Sequence, residues 1–407
     1  MKFLVVVLAT LATLVAADGG YKGYKIYDVT VTNSIQEAAL RSIGNSGEFD
    51  FWSPSRVLVK PEQIAKFEGL LKTGGIDFQV FVDDVDEFAR KEKAENEVAE
   101  SRAEGRLSFT AYHRYDVIQQ YLSEMASKHP DLAKVETIGT SSEGRPIKAL
   151  RLSSGGNGSK PVVVMDAAIH AREWLAPTTA LYLIDQILEN GRTSLLTKLD
   201  WVIIPVLNPD GYEYSHTGDR FWRKTRSKNQ GSSCMGTDGN RNFDFHWMEV
   251  GASNSPCSDT FAGNRPFSEP ETSALRDLLL RSNVKLYLTI HTYGQYFLYP
   301  WGYTSALPDN WKDLDALGRQ AASAIQGVIG TRYTVGSSTN VLYAAAGGSD
   351  DYALAVGKAP YSYTIELPGG GSGGFNPPPS SILPVCQERW QLLLWLPSMS
   401  LNFMAKM

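Results

Sequence analysis

Four apolar-rich runs restrict the architecture open to this chain: "PVVVMDAA" (161–168), "DWVIIPVLNP" (200–209), "VKLYLTIH" (284–291) and "YSYTIELP" (361–368). A strand with one wet face alternates apolar with polar side chains, whereas the first two of these runs carry apolar residues on both faces. Segments of helical periodicity separate or precede them, as in "RYDVIQQYLSEMASKHP" (114–130). The alternation predicts a largely parallel sheet covered by helices on both sides, an α/β domain of about 300 residues beginning near Leu107.

Upstream the pattern changes. "YKIYDVTV" (24–31) alternates like a strand, "SIQEAALRSI" (34–43) repeats at helical spacing, and "FDFWSPSRVLVK" (49–60) reads as two short strands around a turn. "PEQIAKFEGLLKTGG" (61–75) is a helix opened by Pro and closed by Gly, and "DFQVFVDD" (77–84) is a strand. Together they predict a small β-α-β-β-α-β, ferredoxin-like α+β domain over residues 22–84. Then "DDVDEFARKEKAENEVAESRAEGR" (83–106) loses large apolar residues beyond its first turns. It reads as a solvated helix with nothing to bury on one face, running into a frayed linker. Its Arg90, Lys91, Arg102 and Arg106 are accessible to a trypsin-like protease; an ordinary interdomain linker fits the same composition.

The first residues point to export. An apolar stretch from Phe3 to Ala17 follows a single lysine and ends in small residues, too short for a bilayer and suited to a secretory signal cleaved near Ala17. Asn157-Gly158-Ser159 is a glycosylation sequon usable in that compartment. A net charge of −5 leaves no basic field, so neither nucleic acid nor an anionic membrane is expected as a partner. Of three cysteines, Cys234 and Cys257 bracket a Gly/Asn/Ser-rich stretch that a disulfide would close, contributing about 3 kcal/mol. Cys386, just before an apolar C-terminal segment, reads as a buried free thiol; a catalytic cysteine lacks a histidine near it in sequence.

Chemistry concentrates at strand ends, where open α/β sheets bind ligands. His170 follows one apolar run, His291 ends another and Glu366 closes a third. His170-Ala171-Arg172-Glu173 sets an imidazole and a carboxylate close enough in a turn to hold one ion. His291 would complete two nitrogens and one oxygen around zinc with a position left open. "FWRKTRS" (221–227), "DGNRNFDF" (238–245) and "NVLYAAAGGSDDYA" (340–353) add arginines, Asn240, Tyr343 and paired aspartates in loops.

"HAREW" (170–174), "GNRNFD" (239–244) and "IHTYGQ" (290–295), in this order, resemble the zinc metallocarboxypeptidases of the pancreatic type, common also as insect digestive enzymes. The resemblance covers nearly the whole chain. It implies a signal peptide (1–17), an inhibitory propeptide with activation segment (18–106) and a catalytic domain (107–407) built on a mixed, eight-stranded-type sheet. It implies His170, Glu173 and His291 as ligands of one zinc ion, Asp238 as the carboxylate orienting a ligating imidazole, Glu366 as general base and Arg223 as oxyanion stabiliser.

Arg241, with Asn240 and Tyr343, is similar to the set that receives a free C-terminal carboxylate, and Arg172 to the contact one peptide unit upstream. The base of the side-chain pocket falls on Asp350, as in B-type enzymes that remove C-terminal Lys or Arg. Ser338, also lining that pocket, is small enough to admit a long side chain. One residue more between Gly357 and Glu366 than in vertebrate relatives, with Pro368 and its Gly-rich follower, keeps an A-type preference for apolar or aromatic ends as the alternative. On that alternative Asp350 turns away and Asp351 takes a structural role. A reading of another class is a secreted zinc- or peptide-binding module without turnover, though such a module needs no base at Glu366. No H-E-x-x-H string of a zincin endopeptidase exists. Activation is expected at Arg102 or Arg106 by a trypsin-like protease, and the propeptide is expected to act by covering the cleft. The enzyme is expected to be a secreted monomer of an extracellular space such as a gut lumen, acting on peptide C-termini.

Overall fold

The computed structural model describes residues 20–156, 160–369 and 374–387. The secretory signal, Asn157 and the apolar C-terminal segment expected from sequence lie outside them.

The N-terminal unit is the expected β-α-β-β-α-β arrangement. Its strands are β1 (Lys25–Thr30), β2 (Asp50–Ser53), β3 (Arg56–Val59) and β4 (Asp77–Val82), paired in the order β2-β3-β1-β4. The helices Ser34–Asn45 and Ile64–Thr73 close one face. Asn33 starts the first of them by accepting the N–H groups of Ile35 and Gln36 through its side chain. Tyr27, Val29, Leu40, Phe49, Val57, Phe67 and Leu71 form a core of their own.

The segment after β4 differs from the sequence reading. It is a helix, Val85–Arg102, but not one without a buried face: Val85, Ala89, Glu92 and Asn96 form a covered stripe at helical spacing. Two of the four are polar and find partners far along the chain. Arg220 donates Nε and Nη2 to Glu92 at 2.6 and 2.8 Å, and Asn96 exchanges two hydrogen bonds with the Tyr112 backbone. A buried polar group is tolerated once bonded, and composition alone cannot reveal a partner 128 residues away.

The second unit is one mixed sheet of eight strands: β5 (Ala133–Thr140), β6 (Pro146–Leu152), β7 (Val162–Ala167), β8 (Asp200–Ile204), β9 (Val284–Thr292), β10 (Tyr296–Tyr299), β11 (Thr334–Ser337) and β12 (Tyr361–Leu367). Their order is β11-β10-β12-β9-β7-β8-β6-β5. The central strands β12, β9, β7 and β8 run parallel. β6 pairs antiparallel with both β8 and β5, and β10 antiparallel with β12. The continuous apolar runs are these central strands. On β7, Val163, Met165 and Ala167 enter the core under the helices Leu175–Leu188 and Trp311–Ile329. Val162 and Val164 enter the other, under Pro270–Arg281 and Ser349–Ala355. Each fully buried Val, Leu or Ile contributes roughly 1.5–3 kcal/mol relative to an exposed one, so both faces drive the same strand into the sheet.

This topology creates the crevice that positions the site. β7 has β8 on one side and β9 on the other, so the connections leaving the carboxyl ends of neighbouring strands diverge there. His170 and Glu173 lie in the turn after β7, His291 near the end of β9, and Glu366 beside it on β12 in direct register. Cys234 and Cys257 form the expected disulfide, and Cys386 is a buried free thiol near the Thr179 hydroxyl. Among the described residues no helix is long and apolar enough to cross a membrane.

Candidate active site and metal centre

Three side chains meet at the carboxyl end of the sheet. His170 Nδ1 lies 2.8 Å from Glu173 Oε1 and His291 Nδ1 lies 3.0 Å from Glu173 Oε2. One donor atom from each of the three falls within 4.8 Å of the others, and all three residues are buried. Each imidazole turns its other nitrogen outward to a fixed partner: His170 Nε2 to Asp238 Oδ1 at 3.0 Å, His291 Nε2 to Thr289 Oγ1 at 3.1 Å. Two Nδ1 atoms and a carboxylate converging on one point, with the far nitrogens tied back, is a donor set suited to zinc.

The electrostatics agree with that fit. Burial lowers the pKa of His170, aided by the nearby Arg223 guanidinium. Burial alone would raise Glu173, but His170 and His291 outweigh it and hold the carboxyl well below its usual range. Burial opposes the protonated form of His291, yet the Glu173 carboxylate pushes it up to about 9. The buried carboxylate thus requires a cation at this point. A divalent ion would satisfy it with both imidazoles neutral.

Around this centre opens a cleft of about 850 Å³, including the solvent at its mouth. Glu366 lines it with Oε2 unpartnered, and burial, with Glu173 adding to it against His291 and Arg223, pushes its carboxyl up to about 8. Arg223 is held by Asp238, whose Oδ2 accepts Nε at 3.1 Å and Nη2 at 2.8 Å. Burial works against ionised Asp238, but Arg223 and His170 hold it well below the carboxylate range. One aspartate therefore orients both an imidazole and a guanidinium. Arg241 and Asn240 line the next wall. Arg241 donates Nε to Gly251 O, and Asn240 Oδ1 accepts the Ser349 N–H, leaving its amide NH₂ to donate. Gly347, at φ +75°, brings its chain so close to Arg241 that a Cβ would sit 2.5 Å from the Arg241 carbonyl. Tyr343, 40% exposed, stands at the rim.

Asp350 lines the cleft beyond them. It is 5% exposed, Ser338 Oγ reaches Oδ2 at 3.4 Å, and burial raises its pKa. Asp351 points elsewhere, accepting the Gly302 and Tyr303 N–H groups at 2.9–3.2 Å. Asp351 takes structural hydrogen bonds, while Asp350 is among the residues that line the cleft.

Arg172 does not line the cleft in this form. Its guanidinium, 1% exposed, is gripped by Asp50 of β2 through Nη1 at 2.7 Å and Nη2 at 3.0 Å, and lies over the Phe375 ring. Trp52 packs on Phe221 and Phe375, and Phe51, Trp52, Ser53 and Pro54 close part of the cleft wall. Sequence reading placed two strands around a turn here but did not single out Asp50. The usable signal was an aspartate followed by two aromatics just before Ser-Pro-Ser, in a segment with too few residues to bury both aromatics itself. Arg102 ends its helix and Arg106 is exposed beside Glu104, both away from the cleft.

Residues 118–392 match the family model described as zinc carboxypeptidase, and residues 27–92 match that of the carboxypeptidase activation peptide. The chain belongs to the zinc carboxypeptidase family, in its propeptide-bearing zymogen form. It is 50% identical to carboxypeptidase B of Astacus astacus over 291 residues, covering 70% of this chain and 95% of that one. It is 42% identical to carboxypeptidase B of Helicoverpa zea over 419 aligned positions, covering 96% of each. The crystal structure of a carboxypeptidase A from Helicoverpa armigera matches with a TM-score of 0.86 at 37% identity, over 91% of this chain and 96% of that one. The chain is thus a zinc-dependent metallopeptidase precursor acting on peptides, and the names of its relatives divide between B and A.

Proposed function

We propose that this is a secreted B-type enzyme that removes C-terminal Lys or Arg after its propeptide is cut away. Asp350 carries the reading: a buried carboxylate lining the cleft, whose own contacts are the neutral Ser338, Thr364 and the Asp351 backbone. Leaving such a charge unpaired costs several kcal/mol, and a substrate ammonium or guanidinium would offset that. The relatives named carboxypeptidase B support the same choice.

His170, Glu173 and His291 would hold the zinc ion, which supplies Lewis-acid polarisation of the scissile carbonyl and an acidified water. Glu366 takes the proton of the attacking water and passes it to the leaving amine; its unpartnered oxygen and raised pKa suit a base that must also act as an acid. Arg223, kept in place by Asp238, faces the oxygen on which negative charge develops. Arg241 offers a planar fork to the terminal carboxylate, with Asn240 and Tyr343 as neutral donors. Arg172 serves the preceding peptide unit once Asp50 has left. Cleavage after Arg102 or Arg106 by a trypsin-like protease separates the propeptide from the catalytic domain.

The test is the trypsin-treated, purified chain on matched peptides ending in Arg, Leu or Phe. Release of Arg faster than the others, abolished by a chelator and restored by zinc, is expected. Faster release of Phe would overturn the B-type reading, and zinc binding with no release of any amino acid would favour a binding module.

The propeptide reading has its own test. Removing one partner of a buried ion pair costs about 3–5 kcal/mol, so Asp50→Ala should loosen the cover over the cleft. The uncut variant is expected to hydrolyse a small Arg-ended peptide at least about tenfold faster than the uncut parent, with equal rates after trypsin. Equal rates before trypsin would remove Asp50 from the inhibitory contact.

A further inference from the structure

Two buried polar residues at the middle of the central strands have no part in the chemistry above. Asp166 on β7 and Thr289 on β9 are both 0% exposed, and they are direct partners in the register of the sheet. A buried carboxylate and hydroxyl in such a layer are tolerated only with hydrogen bonds, and theirs form a chain. Tyr287 donates its hydroxyl to Asp166 Oδ2 at 2.5 Å, and Thr289 donates to Asp166 Oδ1 at 3.0 Å. Thr289 Oγ1 also lies 3.1 Å from His291 Nε2. Tyr287, Thr289 and His291 alternate along β9, so strand geometry sets all three on one face.

A hydroxyl has one proton. With Thr289 giving its proton to Asp166, only a lone pair remains for His291, and Nε2 must carry the hydrogen of that contact. Nδ1 is then the bare nitrogen, turned to the point shared with Glu173 and His170. On the other side of the centre, Asp238 does the same for His170 Nε2 without an intermediary. We propose that Thr289 and Asp166 act as a hydroxyl–carboxylate relay that fixes the tautomer and ring orientation of His291, which makes Thr289 a positioning residue for the metal. The proposal rests on the reading of His170, Glu173 and His291 as the zinc site.

The variants Thr289→Val, which keeps the shape and removes the hydroxyl, and Thr289→Ser, which restores it, are compared with the parent as full chains. Outer partners of this kind are typically worth 10–100-fold in metal affinity. Competition with a chelator should show Thr289→Val losing zinc about 10–100-fold more readily, and Thr289→Ser holding it nearly as well as the parent. Imidazole nitrogen chemical shifts of the metal-free chains give a readout independent of zinc. Above the His291 pKa of about 9, where the ring is neutral, it is expected as the Nε2–H tautomer in the parent and Thr289→Ser, and as a mixture in Thr289→Val. An Nδ1–H parent, or equal zinc retention in the Val and Ser variants, would overturn the relay. If Thr289→Val does not fold, Thr289→Ala is put through the same two measurements against Thr289→Ser, with the same outcomes deciding. The expected tautomers in a parent that binds no zinc would overturn the zinc reading while supporting the relay.

Discussion

Glu366→Gln is expected to lower the turnover of the activated enzyme by at least about 10³-fold, because it removes a proton acceptor and leaves the shape of the cleft intact. The amide is nearly isosteric with the carboxylate. Glu366 Oε2 has no hydrogen-bond partner to lose, so the substitution should not disturb the fold. Three groups bear on the carboxyl beyond burial itself, with Glu173 raising its pKa and His291 and Arg223 lowering it. The loss should fall on kcat, with KM changed little, since proton transfer belongs to the transition state and not to substrate binding. Steady-state kinetics on an Arg-ended peptide, with zinc content and thermal unfolding measured on the same samples, check this. A variant with full zinc, native unfolding and parental kcat would exclude Glu366 as the base.

The second large effect is expected at Asp350. In Asp350→Ala the guanidinium of an Arg-ended substrate would be buried without its counter-charge, a loss of about 3–5 kcal/mol. At 1.4 kcal/mol per factor of ten, kcat/KM for that peptide should fall roughly 10²–10³-fold. Leu-ended peptides should improve, because the empty carboxylate no longer has to be desolvated against an apolar side chain. Ser338 is small and on the same wall, so space for the side chain is retained. The ratio of kcat/KM for Arg-ended and Leu-ended peptides reads the effect free of differences in active enzyme concentration. A ratio the same in variant and parent would show that Asp350 does not set the preference.

Much of the architecture was legible because burial on both faces leaves a mark on composition. Val162 to Val164 and Val202 to Ile204 have no polar position at which a solvated face could begin, so a sheet covered twice was the available outcome. The ends of those runs were legible for the converse reason. His170, His291 and Glu366 resist burial yet terminate buried strands, and they converge in the structure. The helix Val85–Arg102 was read less well, since its buried stripe is anchored by Glu92 and Asn96, whose partners no local pattern announces. Asp50 escaped for the same reason: its meaning lies in Arg172, 122 residues on.

By itself the sequence determined the element types, the two-unit order and the chemical kinds of group available at the strand ends, because each depends on periodicity and side-chain chemistry read over a few residues. The tertiary structure alone decided which of those groups meet. Parallel register put Glu366 beside His291 and Asp166 beside Thr289, and docking of the N-terminal unit put Asp50 on Arg172. It also settled which of two adjacent aspartates faces the cleft, since successive residues at the start of the helix Ser349–Ala355 point in directions about 100° apart, and packing selects one of them.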